Sequence, residues 1–436
     1  MKLYLGIDLG STTTKAVLLD ESGASLGRGI TNSRSNYHLA ADIARDEAVI
    51  TARFQLLDRA LVAAGETGDE AVQFRRRLDS RFRKEQRLSQ LQSLRERALN
   101  EAREGGRFGE RAGAVAERLR AIFDDLATDW LRPRLGKPRS DFFRDQAASD
   151  FSRLAEQHAG REAPFDTLLG VFDKTIIQVE NERLDLGFER NIGAALASCL
   201  ALESGARRTR YEAAVAEATH APLEVVATIG TGYGRQTLPF SRAQIRSEIL
   251  CHGLGAHAMY PRTATVLDIG GQDTKAIQID GAGIVTSFQM NDRCAAGCGR
   301  YLGYIADEMN LGVHELGPLA LESTRHVKIN STCTVFAGAE LRDRLTMGQK
   351  REDILAGLHR AIILRAMALL SRSGGVGEEF TFTGGVANNG AAVKALRQLI
   401  AENHGERTIN ISPESIYTGA LGAALFARRS VETAQV

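Results

Sequence analysis

Two cysteines stand where the sequence could hold a metal cluster. Cys294 opens the run Cys-Ala-Ala-Gly-Cys-Gly-Arg-Tyr-Leu, and Cys333 opens the run Cys-Thr-Val-Phe-Ala-Gly-Ala-Glu. A helix-forming run follows each cysteine, so both thiols are predicted at or near helix N-termini, where the helix dipole favours the thiolate. A [4Fe-4S] cluster takes four thiolates. We therefore expect Cys294 and Cys333 to supply half of such a cluster and a second subunit to supply the other half.

A second pattern is typical of a phosphate site, and it occurs twice. In each copy an apolar strand ends in an aspartate, a glycine loop follows, and a lysine stands at the same distance from the aspartate. The two copies comprise Asp8, Gly10, Ser11, Thr12, Thr13 and Lys15, and Asp268, Gly270, Gly271, Gln272 and Lys275. Inward-pointing N–H groups and hydroxyls bind phosphate, and Mg²⁺ prefers oxygen ligands and water. The repeat predicts two half-sites that hold a polyphosphate and Mg²⁺ between them. For the first loop by itself, a simple hairpin turn is the alternative.

Two further stretches could belong to the same site. A strand predicted at 379–383 ends in Gly384 and Gly385, and paired glycines there let the backbone approach a base or ribose closely. Glu248 and His252 share one face of a helix predicted over 241–259 and can meet. That helix either connects two domains, with an acid aimed at the nucleotide site, or carries a metal-binding pair.

Composition narrows the class of protein. The chain has 436 residues, 43% hydrophobic and 25% charged, with a formal net charge of +1, which is ordinary for a globular protein of two or three domains. The chain has no large excess of positive or negative charge that would favour binding to a nucleic acid or a membrane surface. We also expect no apolar run as long as a membrane span. The sequence starts directly in a strand without a signal peptide, and its cysteine count of five is odd. We therefore expect a cytoplasmic protein with reduced thiols.

The elements that position these residues fall into distinct regions. Strand patterns flank the glycine loops, whereas residues 35–220 have the pattern of a long helical region, with an apolar stripe at 115–126. Residues 74–97 of that region are strongly basic. This basic stretch is either a solvated helix face or a docking surface for a partner.

The glycine loops resemble those of a known superfamily. Residues 8–15, 268–275 and 383–388 are similar to the phosphate and adenosine motifs of the actin, sugar kinase and Hsp70 ATPases. Together with the cysteine stretches, they resemble the activator ATPases of 2-hydroxyacyl-CoA dehydratases and the ATPase subunits of ATP-dependent benzoyl-CoA reductase. The resemblance covers residues 1–34 and 223–430.

The resemblance implies an α/β fold of two duplicated actin/Hsp70-like (RNase H-like) lobes, with a large, mainly helical insertion in the first lobe. The implied boundaries are 1–34 and 221–262 for the first lobe, 35–220 for the insertion, 263–416 for the second lobe with the cluster cysteines, and 417–436 for a C-terminal helix and tail.

The resemblance also implies roles for single residues. Asp8 and Asp268 would hold Mg²⁺ or its waters, and Gln272 would position the water that attacks ATP. Phosphate contacts are implied for Gly10, Ser11, Thr12, Thr13, Lys15, Gly270 and Gly271, adenosine contacts for Gly384, Gly385 and Asn388, and cluster ligation for Cys294 and Cys333. The compact activators typically have threonine where this chain has Cys298. We favour Cys294 as the ligand and Cys298 as a buried or neighbouring thiol.

The long insertion and the junction at 30–36 resemble the alpha subunit of benzoyl-CoA reductase. The implied activity is that of an oxidoreductase subunit, which couples ATP hydrolysis to electron transfer for dearomatisation of benzoyl-CoA. The implied partners are a homologous delta-type ATPase subunit that shares the cluster, reductase subunits that bind the aryl-CoA, and ferredoxin as electron donor. An activator of a 2-hydroxyacyl-CoA dehydratase is the nearest alternative, and a small-molecule kinase of the same fold is an alternative of another class.

Overall fold

The computed structural model describes residues 1–33, 36–104, 107–132, 142–201, 203–232, 239–325, 327–330 and 334–434. The chain divides into two compact units. One comprises Met1–Ala48 and Leu223–Val436, and the other comprises Val49–Pro222. The glycine loops and the described part of the cysteine stretches all belong to the first unit.

The first unit contains two sheets. The strands of the described residues are β1 (Lys2–Leu9), β2 (Thr13–Leu19), β3 (Ser25–Asn32), β4 (Glu224–Gly232), β5 (Thr265–Ile269), β6 (Thr274–Ile279), β7 (Val285–Asn291), β8 (Glu379–Thr383) and β9 (Thr408–Asn410). One sheet has the order β3-β2-β1-β4 and the other β7-β6-β5-β8-β9. Each sheet begins with an antiparallel meander, and its next strand pairs in parallel with the first strand of that meander. The two sheets therefore repeat one topology.

The register of the repeat places equivalent residues opposite each other. Asp8 is the partner of Lys15 across β1 and β2, and Asp268 is the partner of Lys275 across β5 and β6. Facing residues of adjacent strands lie on the same side of a sheet. In both lobes the aspartate and the lysine therefore project together beside the glycine loop.

The other main elements of the described chain are helices. They are α1 (Tyr37–Ala63), α2 (Asp69–Glu104), α3 (Ala112–Leu131), α4 (Phe143–His158), α5 (Phe165–Glu180), α6 (Phe188–Leu200), α7 (Gly205–His220), α8 (Glu248–Met259), α9 (Gly299–Glu308), α10 (Val313–Leu321), α11 (Thr334–Thr346), α12 (Arg351–Ser373), α13 (Gly390–His404) and α14 (Thr418–Ala434). The helix predicted from Ser241 begins at Glu248. A separate 3-10 turn, Arg242–Gln244, precedes it.

Helix α12 corrects one expectation, because its length and composition match those of a membrane span. However, 67% of its most apolar 18-residue stretch is buried within the fold. Ile354, Leu358, Ile362 and Leu370 are fully or almost fully buried in the core of the second lobe. The apolar character of α12 is therefore explained by its position in that core.

The second unit is helical and has two apolar cores. The stripe predicted at 115–126 lies in α3 and is buried against α4 and α5. A second core is rich in aromatic rings, with Phe54 edge-on to Phe82 and Phe74 stacked on Tyr211 at 3.9 Å between centroids. Such contacts add about 1 kcal/mol each to the gain from burial.

Most of the basic stretch on α2 is engaged inside this helical unit. The ion pairs are Arg75 with Asp58, Arg77 with Glu203, Arg95 with Asp124, and Arg97 with Glu182. Lys84 donates to the carbonyl of Leu131. These arginines link α2 to acids on α1 and α3 and in the connections that follow α5 and α6, all within its own unit. This arrangement favours the solvated helix face over a docking surface.

A close backbone approach in the first unit gives a stability prediction. A Cβ at Gly6 would lie 2.1 Å from the Ala420 carbonyl oxygen and 2.2 Å from the Ala424 nitrogen. We expect Gly6→Ala to lower the free energy of unfolding by at least about 2 kcal/mol, because the backbones of β1 and α14 would have to separate. Gly303→Ala is the control, because nothing lies within 4 Å of a Cβ there. It should raise the free energy of unfolding by about 0.5–1 kcal/mol, because alanine favours a helix more than glycine does. Urea unfolding curves measure both changes, and equal midpoints for Gly6→Ala and the unsubstituted protein would contradict this packing.

Candidate nucleotide site and cysteine segment

The first loop, residues 10–13, follows Asp8 at the end of β1. Asp8 is 4% exposed, and its Oδ1 has no hydrogen-bond partner among the described residues. Ser33 braces the loop, since its hydroxyl donates to the Gly10 carbonyl and its N–H donates to the Thr12 carbonyl at 2.9 Å. A buried carboxylate oxygen without a donor is costly. The first loop is thus a preformed turn beside an acceptor that fits a cation or its water.

The second loop, residues 270–273, follows Asp268 at the end of β5. The Thr383 hydroxyl donates to Asp268 Oδ2 at 2.9 Å, and His252 Nδ1 lies 3.4 Å from the same oxygen. Lys275 Nζ lies 3.4 Å from Oδ1. Burial would raise the pKa of the Asp268 carboxyl, but His252, Lys275, Thr383 and Lys15 outweigh it and lower that pKa to about 2. Asp268 is therefore a carboxylate at any physiological pH.

Lys275 is the centre of a buried ion cluster. Its side chain is 2% exposed, and Nζ lies 2.7 Å from Asp273 Oδ2 and 2.9 Å from Glu248 Oε1. Burial would lower the pKa of Lys275, but Asp268, Glu248 and Asp273 raise it well above its usual range. Burial and the neighbouring acids raise the pKa of Asp273, against the opposing effect of Lys275. One ammonium group therefore stabilises three carboxyl groups.

Glu248 and His252, whose role the sequence leaves open, enter the site from α8. Glu248 Oε1 is 3.9 Å from His252 Nε2, and the acid pairs more closely with Lys275. Across the described residues, no group of three or more histidine, cysteine or acidic side chains could hold a metal ion. A cation held by Asp8 and Asp268 would therefore keep several waters, as Mg²⁺ does.

The two loops face each other across a narrow gap. A Cβ at Gly271 would lie 2.0 Å from Thr12 Oγ1 and 3.8 Å from Ser11 Oγ. A Cβ at Gly419 would lie 2.8 Å from Asp8 Oδ2 and 2.8 Å from His252 Nε2. Both acids, both loops and the connecting helix α8 thus converge on one place. Gln272 stands there half-buried, and its side chain makes no hydrogen bond with the described residues.

The third glycine stretch lies at the end of β8, next to β5. Gly384 has φ +85°, and a Cβ there would lie 2.4 Å from the Ile269 carbonyl oxygen. Gly385 has open space around it, and Asn388 is exposed. Asn389, whose role has no signal in the sequence, accepts hydrogen bonds from the N–H groups of Ala391 and Ala392 and so caps α13. This stretch leaves an open backbone surface beside the second loop.

The cysteines differ in their surroundings. Cys294 is half-buried and precedes a 3-10 turn, Ala295–Gly297. Cys298 is fully buried, precedes α9 directly, and donates to the Ala295 carbonyl at 3.2 Å. Burial raises the pKa of the Cys298 thiol. The thiol at the start of α9 is thus Cys298 and not Cys294, while Cys333 lies outside the described residues.

The cysteine segment, residues 294–300, is hydrogen-bonded to the second loop and its flanking strands. The N–H of Gly299 donates to the Gly270 carbonyl at 2.8 Å, and the N–H of Arg300 donates to the Gly271 carbonyl at 2.7 Å. The Thr274 hydroxyl donates to the Gly297 carbonyl, and Asn291 Nδ2 donates to the Cys294 carbonyl at 2.9 Å. Loop and segment therefore form one connected structure within the second lobe. Sequence spacing gives no signal of this connection.

Comparison with known proteins identifies the family. The BadF/BadG/BcrA/BcrD ATPase family matches residues 5–427. The chain belongs to this family. Its relatives include 2-hydroxyacyl-CoA dehydratase activators and one of the subunits of a benzoyl-CoA reductase.

Two relatives show how much of the chain is similar to known proteins. The (R)-2-hydroxyglutaryl-CoA dehydratase activating ATPase of Acidaminococcus fermentans is 43% identical over 225 residues, which are 51% of this chain and 83% of the relative. The benzoyl-CoA reductase relative, from Thauera aromatica, is 31% identical over 204 residues, which are 47% of this chain and 71% of the relative. Each alignment therefore leaves about half of the present chain without a counterpart.

A solved structure supports the fold. The crystal structure of the Acidaminococcus fermentans (R)-2-hydroxyglutaryl-CoA dehydratase component A matches with a TM-score of 0.55 and 23% identity, and covers 99% of this chain and 100% of that one. The mixed α/β fold, with two sheets of one repeated topology and a helical unit, is shared with that component. The fold class predicted from the glycine loops is confirmed.

The buried ion cluster gives a pH-dependent stability prediction. We expect Lys275→Met to lower the free energy of unfolding by about 3–5 kcal/mol at pH 7, because three carboxyl groups lose their shared counter-ion. The loss should shrink at pH 4.5. Without Lys275 the folded-state pKa of each acid rises, and an acid with a raised pKa destabilises the fold only above its unfolded-state pKa.

Urea unfolding at the two pH values measures the effect. Lys174→Met is the control, because Lys174 pairs with Glu101 but its side chain is 52% exposed. An exposed pair contributes at most about 1 kcal/mol. Equal losses for the two variants, or a larger loss at pH 4.5 for Lys275→Met, would contradict the role of the buried lysine.

Proposed function

We propose that this chain is an ATP-hydrolysing activator, which passes an electron to a partner enzyme that acts on an acyl-CoA. The observation that carries the proposal is the direct hydrogen-bonded connection between the second loop and the cysteine segment. A nucleotide site and a thiol connected in this way suit an enzyme that couples hydrolysis to chemistry at the thiol. The preferred partner is a 2-hydroxyacyl-CoA dehydratase, because the activating ATPase is the more similar of the two relatives.

The residues of the cleft have distinct roles in the proposed hydrolysis. Asp8 and Asp268 would hold Mg²⁺ through water, and the hydroxyls of Ser11 and Thr12 with the N–H groups of the second loop would bind phosphate. Gln272 would orient the attacking water, which suits its half-buried amide, unpartnered among the described residues. Phosphoryl transfer of this kind depends on positioning and on neutralisation of charge. Gly384, Gly385 and Asn388 would lie against the adenosine.

The thiols suit a cluster shared between subunits. Cys294 is half-buried and so accessible to a ligand, while the chain's buried thiols, such as Cys298, are not. Cys294, with Cys333 from outside the described residues, would supply two of four ligands, and a second ATPase subunit would supply the others. When bound, a [4Fe-4S] cluster supplies a low-potential one-electron donor. The protein's part is to hold the Cys294 thiol and to shift its position with the state of the nucleotide.

A benzoyl-CoA reductase subunit is the second candidate. One observation favours it: the helical unit Val49–Pro222, with its own two cores, is additional to the compact ATPase lobes. The size of this unit is the basis for the resemblance to the reductase alpha subunit. For this candidate the partners would be a delta-type subunit, aryl-CoA-binding subunits and ferredoxin.

Hydrolysis provides the first test. We expect Asp8→Asn to lower the rate of ATP hydrolysis by about 10²–10³-fold, because the Mg²⁺ site loses a charge where the transition state needs it. Asp166→Asn, at an exposed position on α5, should leave the rate unchanged. Release of phosphate from Mg-ATP by purified protein measures both. An unchanged rate for Asp8→Asn would place the catalytic site elsewhere.

The thiol assignment provides the second test. We expect Cys294→Ser to abolish the iron content and visible absorbance of anaerobically purified protein with its partner ATPase subunit, while ATP binding survives. Cys199→Ala, buried in the helical unit, is the control and should keep its iron. Re-oxidation of reduced protein by a 2-hydroxyacyl-CoA system or by benzoyl-CoA, each with its enzyme component, separates the two candidates. Wild-type iron in Cys294→Ser would overturn the assignment.

A further inference from the structure

We propose that two peptide units of the second loop, 270–271 and 271–272, transmit phosphate binding to the Cys294 thiol, and that Thr274 and Asn291 act as positioning residues in this connection. The inference rests on the proposed function, and it names the atoms through which the nucleotide acts. It locates the coupling within the second lobe, next to the phosphate site.

These two peptide units point one way to α9 and the other way to the phosphate site. The Gly270 and Gly271 carbonyls accept from the N–H groups of Gly299 and Arg300. The same two peptide units carry the N–H groups of Gly271 and Gln272, for which the described residues provide no hydrogen-bond acceptor. A trans peptide is planar, and its N–H and C=O point in opposite directions. Each unit thus has one end fixed to the start of α9 and the other end free to bind phosphate.

The connection between the second loop and the start of α9 is rigid. A planar peptide moves as a body, so an N–H that shifts toward a phosphate oxygen shifts its carbonyl as well. Both carbonyls of these units are held, since the Gly299 nitrogen lies 2.8 Å from the Gly270 oxygen and the Arg300 nitrogen lies 2.7 Å from the Gly271 oxygen. Displacement of the loop therefore displaces the amides of Gly299 and Arg300.

The amides of Gly299 and Arg300 are connected to the Cys294 thiol through the cysteine segment. Thr274 is fully buried, begins β6 directly after the loop, and donates its hydroxyl to the Gly297 carbonyl. Asn291 ends β7 and donates to the Cys294 carbonyl. The cysteine segment is therefore held at both ends and in its middle by the loop and by the strands β6 and β7. Cys294 is half-buried, so a small displacement changes the exposure of its thiol.

Cysteine reactivity in protein without bound iron tests the proposal. The rate of Cys294 alkylation by iodoacetamide is measured by mass spectrometry of peptides, with and without Mg²⁺ and a non-hydrolysable ATP analogue. We expect the analogue to change the rate by about fivefold in the unsubstituted protein, equivalent to the net contribution of one hydrogen bond. We expect Thr274→Val to reduce this to less than about twofold, with the dissociation constant of the analogue unchanged.

Three further variants keep the outcome decisive. Thr274→Ser retains the hydroxyl and should restore the response. Thr286→Val removes a threonine that donates to the Gln278 carbonyl on the same sheet but away from the cysteine segment, and should respond as the unsubstituted protein does. Asn291→Asp removes the donor to Cys294 and should lose the response, so the test does not depend on Thr274→Val folding.

Contrary results have distinct meanings. A full response in both Thr274→Val and Asn291→Asp would overturn the proposed connection. A bound analogue without any effect on Cys294 in the unsubstituted protein would also overturn it, while the proposed ATPase activity would stand. Failure of the analogue to bind at all would instead overturn the proposed function and the connection with it.

Discussion

Two carboxylates buried at the strand ends, Asp8 and Asp268, are the constraint on which the first unit depends. A buried charge requires counter-ions and donors. At Asp268 these are His252, Lys275 and Thr383, which come from three different elements. Asp8 lacks a comparable set, and its Oδ1 has no donor within the described part of the chain. The buried charge is therefore better compensated at Asp268 than at Asp8, where a hydrated cation that binds with its nucleotide would supply the missing positive charge.

The helical unit solves a different physical problem. Helix α2 is long and rich in basic residues, which leaves only a narrow apolar stripe along it. Helix propensity alone does not stabilise such a helix, so it depends on packing against its neighbours. Phe74, Phe82 and Leu94 nevertheless form one buried stripe. Arg77 and Arg95 pair with acids elsewhere in the unit, Glu203 after α6 and Asp124 on α3. The basic character of the stretch thus serves the cohesion of this unit. Net charge per segment is a poor guide to a partner surface when the opposite charges are distant in sequence.

The sequence is sufficient to predict what repeats or what depends on local spacing. The duplicated sheets follow from strand, acid, glycine loop and strand occurring twice, and the buried stripe of α3 follows from helical periodicity. Contacts between residues distant in sequence cannot be predicted in this way. The pairing of Glu248 with Lys275 and the capping of α13 by Asn389 depend on tertiary approach. The helical run predicted from Arg300 agrees with α9 to within one residue, but the sequence gives no signal of the 3-10 turn that places Cys298, and not Cys294, directly before that helix.

The two copies of the loop also differ in what their carbonyls bind. In the first copy the Gly10 carbonyl accepts from Ser33, so that loop is fixed to its own strand end. In the second copy the Gly270 and Gly271 carbonyls accept from the start of α9. A duplicated loop binds phosphate from both sides of a cleft, but its copies need not pass the same displacement onward. In the proposed connection, the hydrogen bonds behind each loop, more than the loop sequences, would determine which loop acts on the thiol. The Gly10 carbonyl, which accepts from Ser33, is fixed to the end of the β3 strand, whereas the Gly270 and Gly271 carbonyls accept from the N-terminus of α9 and would pass a displacement of their loop to the cysteine segment.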